Sequence, residues 1–291
     1  MPPLVVIVGE TSSGKSALAL ELAEKFNGEI IAADSWTVYK HFDIGTAKPS
    51  SHEQAMVPYH LLDVAEPAEG FSAVVFKRLA RKAIGSISAR GKLPILVGGT
   101  GLYIDSVIFD YGFLPPSDPA LRAELKAVEL PELLARAKKL RLDTTGIDLR
   151  NKRRIIRLIE NNGVRPSKQS LRENTLILGL SISRDELSAK IEQRVDAMIS
   201  MGLEGEVRSL AETYGWEAEP MKGIGYREWK AYFAGTQTLA ETRAQIIKNT
   251  LNLAKRQRTW FKRNYSIHWL NNRDKDAQAV ELITTLLNNT I

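Results

Sequence analysis

The stretch Leu4 to Ala19, LVVIVGETSSGKSALA, constrains the fold more than any other part of the chain. Leu4 to Val8 is a short, apolar, mostly β-branched run, the pattern of a buried strand. Gly9, Gly14, Lys15 and Ser16 then match G-x-x-x-x-G-K-[ST] without a mismatch. Ala17 to Phe26 reads as a helix, with Leu18, Leu22 and Phe26 along one side. Strand, glycine-containing loop and helix therefore follow in the order a phosphate-binding loop requires. The glycines let backbone N–H groups converge on an anion. The helix points the positive end of its dipole at the same place. Thr11, Ser12 and Ser13 contribute loop N–H groups, Lys15 a point charge for the terminal phosphate, and Ser16 a hydroxyl able to hold Mg²⁺. The pattern specifies a di- or triphosphate ligand without saying which.

The 291 residues, 44% of them hydrophobic, suffice for one sizeable core and an appendage. There are no cysteines, which excludes disulfides, thiolate-bound zinc and thiol catalysis and suits a reducing, cytoplasmic setting. No basic segment followed by a long apolar one is readable near Met1, so no signal peptide is expected. No apolar run approaches the roughly 20 residues of a membrane span, and no membrane partner is expected. The net charge of +6 and pI near 9.4 favour a nucleic-acid partner.

Glu29 to Ala33 reads as a second strand ending in Asp34-Ser35. In a doubly wound parallel sheet the strand ends face the ligand, so Asp34 is expected to face the phosphate loop. A cap on the following turn is an equally simple role for it. Ser72 to Arg90 reads as a helix, and Pro94 to Val97 as a third buried strand followed by Gly98-Gly99-Thr100-Gly101. Nucleoside triphosphatases usually carry an acidic Mg²⁺ ligand near such a strand end. Here Thr100 is available as a hydroxyl donor instead. Composition shifts at Pro115-Pro116, and Ser117 to about Asn174 reads as charged and helical, with Asp118-Pro119 as a helix start. Leu176 to Ile182 returns to strand character. The expected organisation is an α/β core over 1–116 and 175–291, interrupted by a helical insertion over 117–174.

Within the insertion, Arg150, Arg153, Arg154 and Arg157 are spaced to line one face of a helix, with Ile155, Leu158 and Ile159 opposite. No acid lies between Arg150 and Ile159, so the stripe suits a phosphate backbone. Lys222, in the turn MKGIGY, is a further cation able to reach an anion. Thr242 to Arg263 reads as a long helix in which Lys248, Lys255, Arg256, Arg258, Lys262 and Arg263 carry positive charge with no intervening acid. Leu251, Ala254 and Phe261 form its apolar side.

Seven stretches then resemble the tRNA dimethylallyltransferase family, the bacterial-type tRNA isopentenyltransferases: GETSSGKS at 9–16, DSWTVY at 34–39, DIGTAKP at 43–49, LVGGTGLY at 96–103, RRIIRLIE at 153–160, KGIGYREW at 222–229 and AKRQRTWFKR at 254–263. They occur in the family's order and span nearly the whole chain. The resemblance implies a phosphate-loop α/β fold with a helical insertion that binds tRNA. It implies transfer of a dimethylallyl group from dimethylallyl diphosphate to N6 of adenosine 37, beside the anticodon, with Mg²⁺ assisting. Asp34 matches the family's general base. Lys15, Ser16 with Mg²⁺, the loop N–H groups, Thr100 and Lys222 match groups on the diphosphate. Ser35, Thr37, Thr100, Arg122 and the Arg150, Arg153, Arg154 and Arg157 face match positions toward the anticodon stem-loop. A cytoplasmic monomer is expected.

Two positions depart from the pattern. Glu10 stands where relatives usually have Pro, and a side chain turned to solvent would relieve the charge beside the phosphate loop. Thr37 stands where Gln is usual, and it lacks the paired donor and acceptor of an amide. Two rival readings are a phosphate-loop kinase for a small metabolite or nucleoside, and a non-catalytic, nucleotide-gated RNA-binding protein.

Overall fold

The computed structural model describes residues 1–115, 117–271 and 273–290. Pro116, at the expected domain boundary, lies outside them. The chain forms two compact units, one of residues 1–108 with 171–291 and one of residues 109–170.

The larger unit is built on a parallel sheet. Its strands are β1 (Leu4–Gly9), β2 (Gly28–Ala32), β3 (Tyr59–His60), β4 (Leu93–Gly98), β5 (Thr175–Leu180) and β6 (Ile267–Trp269), in the order β3-β2-β4-β1-β5-β6. The helices in chain order are α1 (Lys15–Lys25), α2 (Ser51–Met56), α3 (Ala73–Ala89), α4 (Gly101–Ile108), α5 (Pro119–Ala127), α6 (Leu130–Lys139), α7 (Lys152–Glu160), α8 (Arg184–Ser200), α9 (Leu203–Tyr214), α10 (Trp229–Phe233), α11 (Leu239–Phe261) and α12 (Lys275–Asn288). Of these, α5 to α7 belong to the smaller unit.

Every residue of β1 is buried, as its unbroken apolar run requires of a strand covered on both faces. It pairs with β4 on one side and β5 on the other, with Val6 opposite Leu96 and Ile177. Val5 and Ile7 pack with Leu18 and Leu22 of α1 and with Ala279 and Ile283 of α12. The alternate residues of the strand face the opposite way, where α3 packs on β2 and β4 and α11 on β1. The chain leaves β1 for β2, skipping the β4 position, and later returns on the far side to β5. The crevice at such a switch lies beyond the strands' carboxyl ends. The phosphate loop, Asp34 and Gly99 all follow those ends. A second core gathers α8, α9 and α11 around Trp229, Tyr226 and Phe42.

The smaller unit has its own apolar centre of Leu125, Leu133, Ala137, Ile155, Ile156 and Ile159. It is shifted from the expected 117–174, beginning eight residues earlier and ending four residues earlier, and its incoming and outgoing chains pair. Gly112 N–H donates to Ser167 O at 3.0 Å, Gln169 N–H donates to Phe109 O at 2.9 Å, and the Lys168 ammonium sits 3.6 Å over the Phe109 ring. Helix α5 starts as read, with the Asp118 side chain accepting from Ala120 N–H and Pro119 in the first turn.

The arginine stripe needs correction. Asn151 caps α7 by accepting from Arg154 N–H, so the helix starts at Lys152 and Arg150 precedes it. Arg150 pairs with Asp148 at 3.2 Å. Arg153 and Arg154 are exposed on the helix. Arg157 reaches Glu160 at 3.3 Å. Glu160, whose side chain is 0% exposed, is gripped by Arg122 through two 2.6 Å bonds. Arg122 is thus committed to an internal ion pair, which a sequence reading of exposed cations does not register.

That carboxylate gives a stability prediction. Arg122 hydrogen bonding holds the Glu160 carboxyl below its ordinary value, with burial opposing. The stabilisation is therefore full above the unfolded value and is lost as pH falls through the lower folded one. Glu160→Gln is expected to weaken the smaller unit by about 1–2 kcal/mol at pH 7. Hydrogen exchange of α5 and α7 amides would read this, and the difference from the unsubstituted protein should vanish in acid.

Candidate active site

A cavity of about 520 Å³ opens at the carboxyl ends of the central strands. Its wall includes Thr11, Ser12, Gly14, Lys15 and Ser16 of the phosphate loop, together with Asp34, Thr37, Gly99, Arg194 and Gln257. All of them belong to the larger unit.

The loop has the shape its sequence calls for. Gly14 adopts φ +91°, a left-handed conformation that a side chain disfavours, and hands the chain to α1. The helix begins at Lys15, two residues before the sequence expectation, so the N–H groups of Lys15 and Ser16 lie in its first turn. First-turn N–H groups have no acceptor within their helix. The Ser12 hydroxyl, lining the cavity, and the Ser13 hydroxyl behind it are buried without partners. Gly9 and Ser13 shape the loop without lining the cavity.

Four charged side chains set the electrostatics. The Lys15 ammonium donates to the Glu10 carbonyl at 2.5 Å. Loss of hydration pushes its pKa down to about 8, and neighbouring Arg194 pushes the same way, against Asp34 and Glu10. Arg194, on α8, donates to Thr11 Oγ1 at 3.3 Å and to the Thr46 carbonyl at 3.5 Å. Burial also lowers its pKa, with Asp34 opposing. Asp34 lines the same cavity and accepts from Trp36 N–H at 2.8 Å, so it caps its turn and faces the cations at once.

The Glu10 side chain does not turn to solvent. It is 2% exposed and forms a two-point pair with Arg258, which also donates to Ile182 O at 2.9 Å. Arg258 therefore leaves the exposed basic set of α11. Beside it, Gln257 lies against both the phosphate loop and the turn after β4. Gly99 permits this: a Cβ there would lie 2.2 Å from Gln257 Nε2.

Thr100 belongs to the rim rather than the wall, since the cavity is lined by Gly98 and Gly99 but not Thr100. Its hydroxyl accepts from Ser35 N–H at 3.1 Å, tying the β4 turn to the Asp34 loop. Thr37 lines the cavity, is buried, and has a hydroxyl without a partner. Buried polar atoms are usually bonded, so an orphan in a cavity wall fits a polar ligand.

Lys222 is not part of the cavity. A 3₁₀ turn, Glu219–Lys222, buries Pro220 and Met221 and leaves Lys222 exposed, 3.5 Å from Glu219. Arg194 supplies the second cation instead. The sequence does not single it out, because Lys190 and Arg194 sit among acids on an ordinary amphipathic helix. Their spacing of four was the available signal.

The loop over 43–49 forms another part of the wall through Gly45, Thr46, Ala47 and Pro49. It is organised by Glu206 in the first turn of α9. That carboxylate accepts from the N–H groups of Asp43, Ile44 and Gly45 at 3.2, 2.8 and 3.0 Å, and from the Tyr226 hydroxyl at 2.7 Å. Burial, then Glu206, pushes the Tyr226 pKa well up, keeping it a donor. Lys48 is similarly enclosed, donating to Asp43 and Asp63 carboxylates and the Tyr39 carbonyl.

The cavity can bind a polyanion at Lys15, Arg194 and the loop, with a carboxylate facing it. An anion that prefers the Lys15 ammonium must bring a proton with it above the free-site pKa. Inorganic pyrophosphate should therefore bind at full strength below about pH 8 and more weakly above it, approaching tenfold per pH unit. Lys15→Arg stays charged, so calorimetry of this variant subtracts the ligand's own titration. Parallel pH profiles for the two proteins would overturn the assignment.

Comparison with known proteins agrees with this fold. The IPP transferase family model matches residues 37–264. The tRNA dimethylallyltransferase of Anoxybacillus flavithermus is 42% identical over 282 residues, covering 93% of this chain and 91% of that protein. The crystal structure of the full-length tRNA isopentenylpyrophosphate transferase from Bacillus halodurans superposes with a TM-score of 0.77 at 34% identity, over 99% of this chain and 98% of that one. A eukaryotic dimethylallyltransferase captured acting on tRNA gives a TM-score of 0.84 at 25% identity, over 99% of this chain and 80% of that one. The family match leaves out the phosphate loop, but the near full-length relatives include it. Matched by the family model over most of its length and by a 42% identical relative over nearly all of it, the chain belongs to the IPP transferase family.

Proposed function

We propose that the chain transfers a dimethylallyl group from dimethylallyl diphosphate to N6 of adenosine 37 of tRNA, beside the anticodon, releasing diphosphate. The observation that carries this reading is one cavity holding a carboxylate, Asp34, against the anion-binding Lys15 and Arg194. A phosphate loop alone fits many reactions. A base facing it across a partly apolar cavity fits alkyl transfer from a diphosphate, and membership of the family supports that choice.

The residues then have the following work. The N–H groups of Gly14, Lys15 and Ser16, with the Lys15 and Arg194 cations, hold the diphosphate and stabilise charge as the C1–O bond breaks. The bonding pair leaves with the diphosphate oxygen. N6 attacks C1, and its proton passes to the Asp34 carboxylate. The Trp36 N–H holds that carboxylate in place. Thr100 orients the base loop through Ser35, and Thr37 offers a single hydroxyl toward the acceptor.

Mg²⁺ fits the donor set. It needs few protein ligands when phosphate oxygens and water complete its shell, and the Ser16 hydroxyl lies in the cavity wall. Bound there, it would neutralise charge on the departing diphosphate.

The target base must leave its stacked loop to reach such a cavity. In the smaller unit, the exposed Arg153 and Arg154 suit the RNA backbone, whereas Arg122 acts by shaping the unit. Among the described residues no helix is long and apolar enough to cross a membrane. Action in the cytoplasm, as a monomer, is part of the same proposal.

The test is transfer of label from dimethylallyl diphosphate to an unmodified anticodon stem-loop in Mg²⁺. Asp34→Ala should lower transfer by about 10²–10⁴-fold, and chelation of the metal should also suppress it. Undiminished transfer by the variant would remove Asp34 as base. No transfer to stem-loop or full tRNA, with ATP consumed instead, would favour the kinase.

A further inference from the structure

Gln257 makes two directional contacts from one amide. Its Oε1 accepts from Thr11 N–H at 2.8 Å, and its Nε2 donates to the Gly99 carbonyl at 3.1 Å. The residue is 9% exposed and lines the cavity. Its two partners belong to different halves of the reaction centre. Thr11 is in the loop that receives the phosphate and takes a hydrogen bond from Arg194. Gly99 precedes Thr100, whose N–H donates to Ala33 O at 3.3 Å and whose hydroxyl accepts from Ser35 N–H. Asp34 lies between those two attachment points. The neighbouring Arg258, paired with Glu10, fixes this part of α11 to the loop's first residue after β1.

A primary amide offers a donor and an acceptor side by side on one rigid, neutral group. A carboxylate would lose the contact to Gly99 and set a negative charge beside the anion site. The space it occupies exists because residue 99 has no Cβ.

We propose that Gln257 is a positioning residue that sets the separation between the leaving-group loop and the loop carrying the base. The inference rests on the transferase reading above. In that reaction C1–O cleavage, N6–C1 bonding and proton transfer to Asp34 occur around one carbon, so an error in spacing falls on the chemical step. Anion binding draws on the phosphate loop with Lys15 and Arg194, all on one side of that spacing, and is largely spared.

The test compares the full chain with Gln257→Met, which keeps volume and neutrality and removes both hydrogen bonds. Single-turnover transfer at saturating dimethylallyl diphosphate and stem-loop is expected to fall about 30-fold, while the Kd of inorganic pyrophosphate changes less than about threefold. Gly99→Ala provides a second route that does not need the Met variant to fold, because its Cβ displaces the amide. It should cost a similar factor alone and almost nothing further in a Gln257→Ala background. Transfer by folded Gln257→Met within about twofold of the unsubstituted protein, a loss confined to pyrophosphate affinity, or additive Gly99 and Gln257 effects would each overturn the inference. Absence of transfer by the unsubstituted protein would overturn the functional reading first, and this one with it.

Discussion

Opposed charge in a confined space is the constraint on which the rest of this site depends. Lys15 and Arg194 line one cavity where burial disfavours both charges, and Arg194 lowers further the preference of Lys15 for its charged form. Asp34 and Glu10 offset that repulsion. The Glu10 side chain needs its own counter-ion, Arg258, because a buried carboxylate without one is costly. One acidic residue in the phosphate loop thus draws in a cation from α11, 248 residues along the chain. A polyanion entering the cavity meets two cations held against their mutual repulsion. Relief of that repulsion adds to whatever each cation contributes alone.

The same logic governs the smaller unit. Glu160 is enclosed at the end of α7, where two arginines converge on it. The apolar centre is small, so a satisfied internal ion pair matters to its definition. A helix rich in arginine is therefore not uniformly a surface for nucleic acid. Arg153 and Arg154 project outward, while Arg157 and Arg122 help hold the unit together.

What the sequence makes legible here is local. The phosphate loop, Asp34 at a strand end and the Asp118-Pro119 helix start depend on neighbours within a few residues. Their backbone requirements are written in glycine, proline and cap residues. The partners that complete the site are not written that way. Arg194 meets Thr11 across 183 positions, and Gln257 meets it across 246. The local pattern of either helix does not show which distant residue each one meets. Lys222 misled for the converse reason: its charge was visible, but the 3₁₀ turn that directs it outward was not. Periodicity places Arg150 on a helix, but it does not register the start set by the Asn151 cap. A solvent-facing Glu10 is the simplest expectation from sequence, because its counter-ion Arg258 lies 248 positions away.

The Glu206 carboxylate has a consequence for recognition. Three consecutive N–H groups of the 43–45 segment already have an anionic acceptor from within the protein. The loop that supplies Thr46 to Arg194, and part of the cavity wall, is therefore ordered when the chain folds rather than when a ligand arrives. The conformational entropy of that segment is spent before encounter, and affinity is not reduced by the need to organise it. Selectivity then comes from a rigid outline: a ligand must match the wall as it stands, since this part of it cannot close around a poor fit.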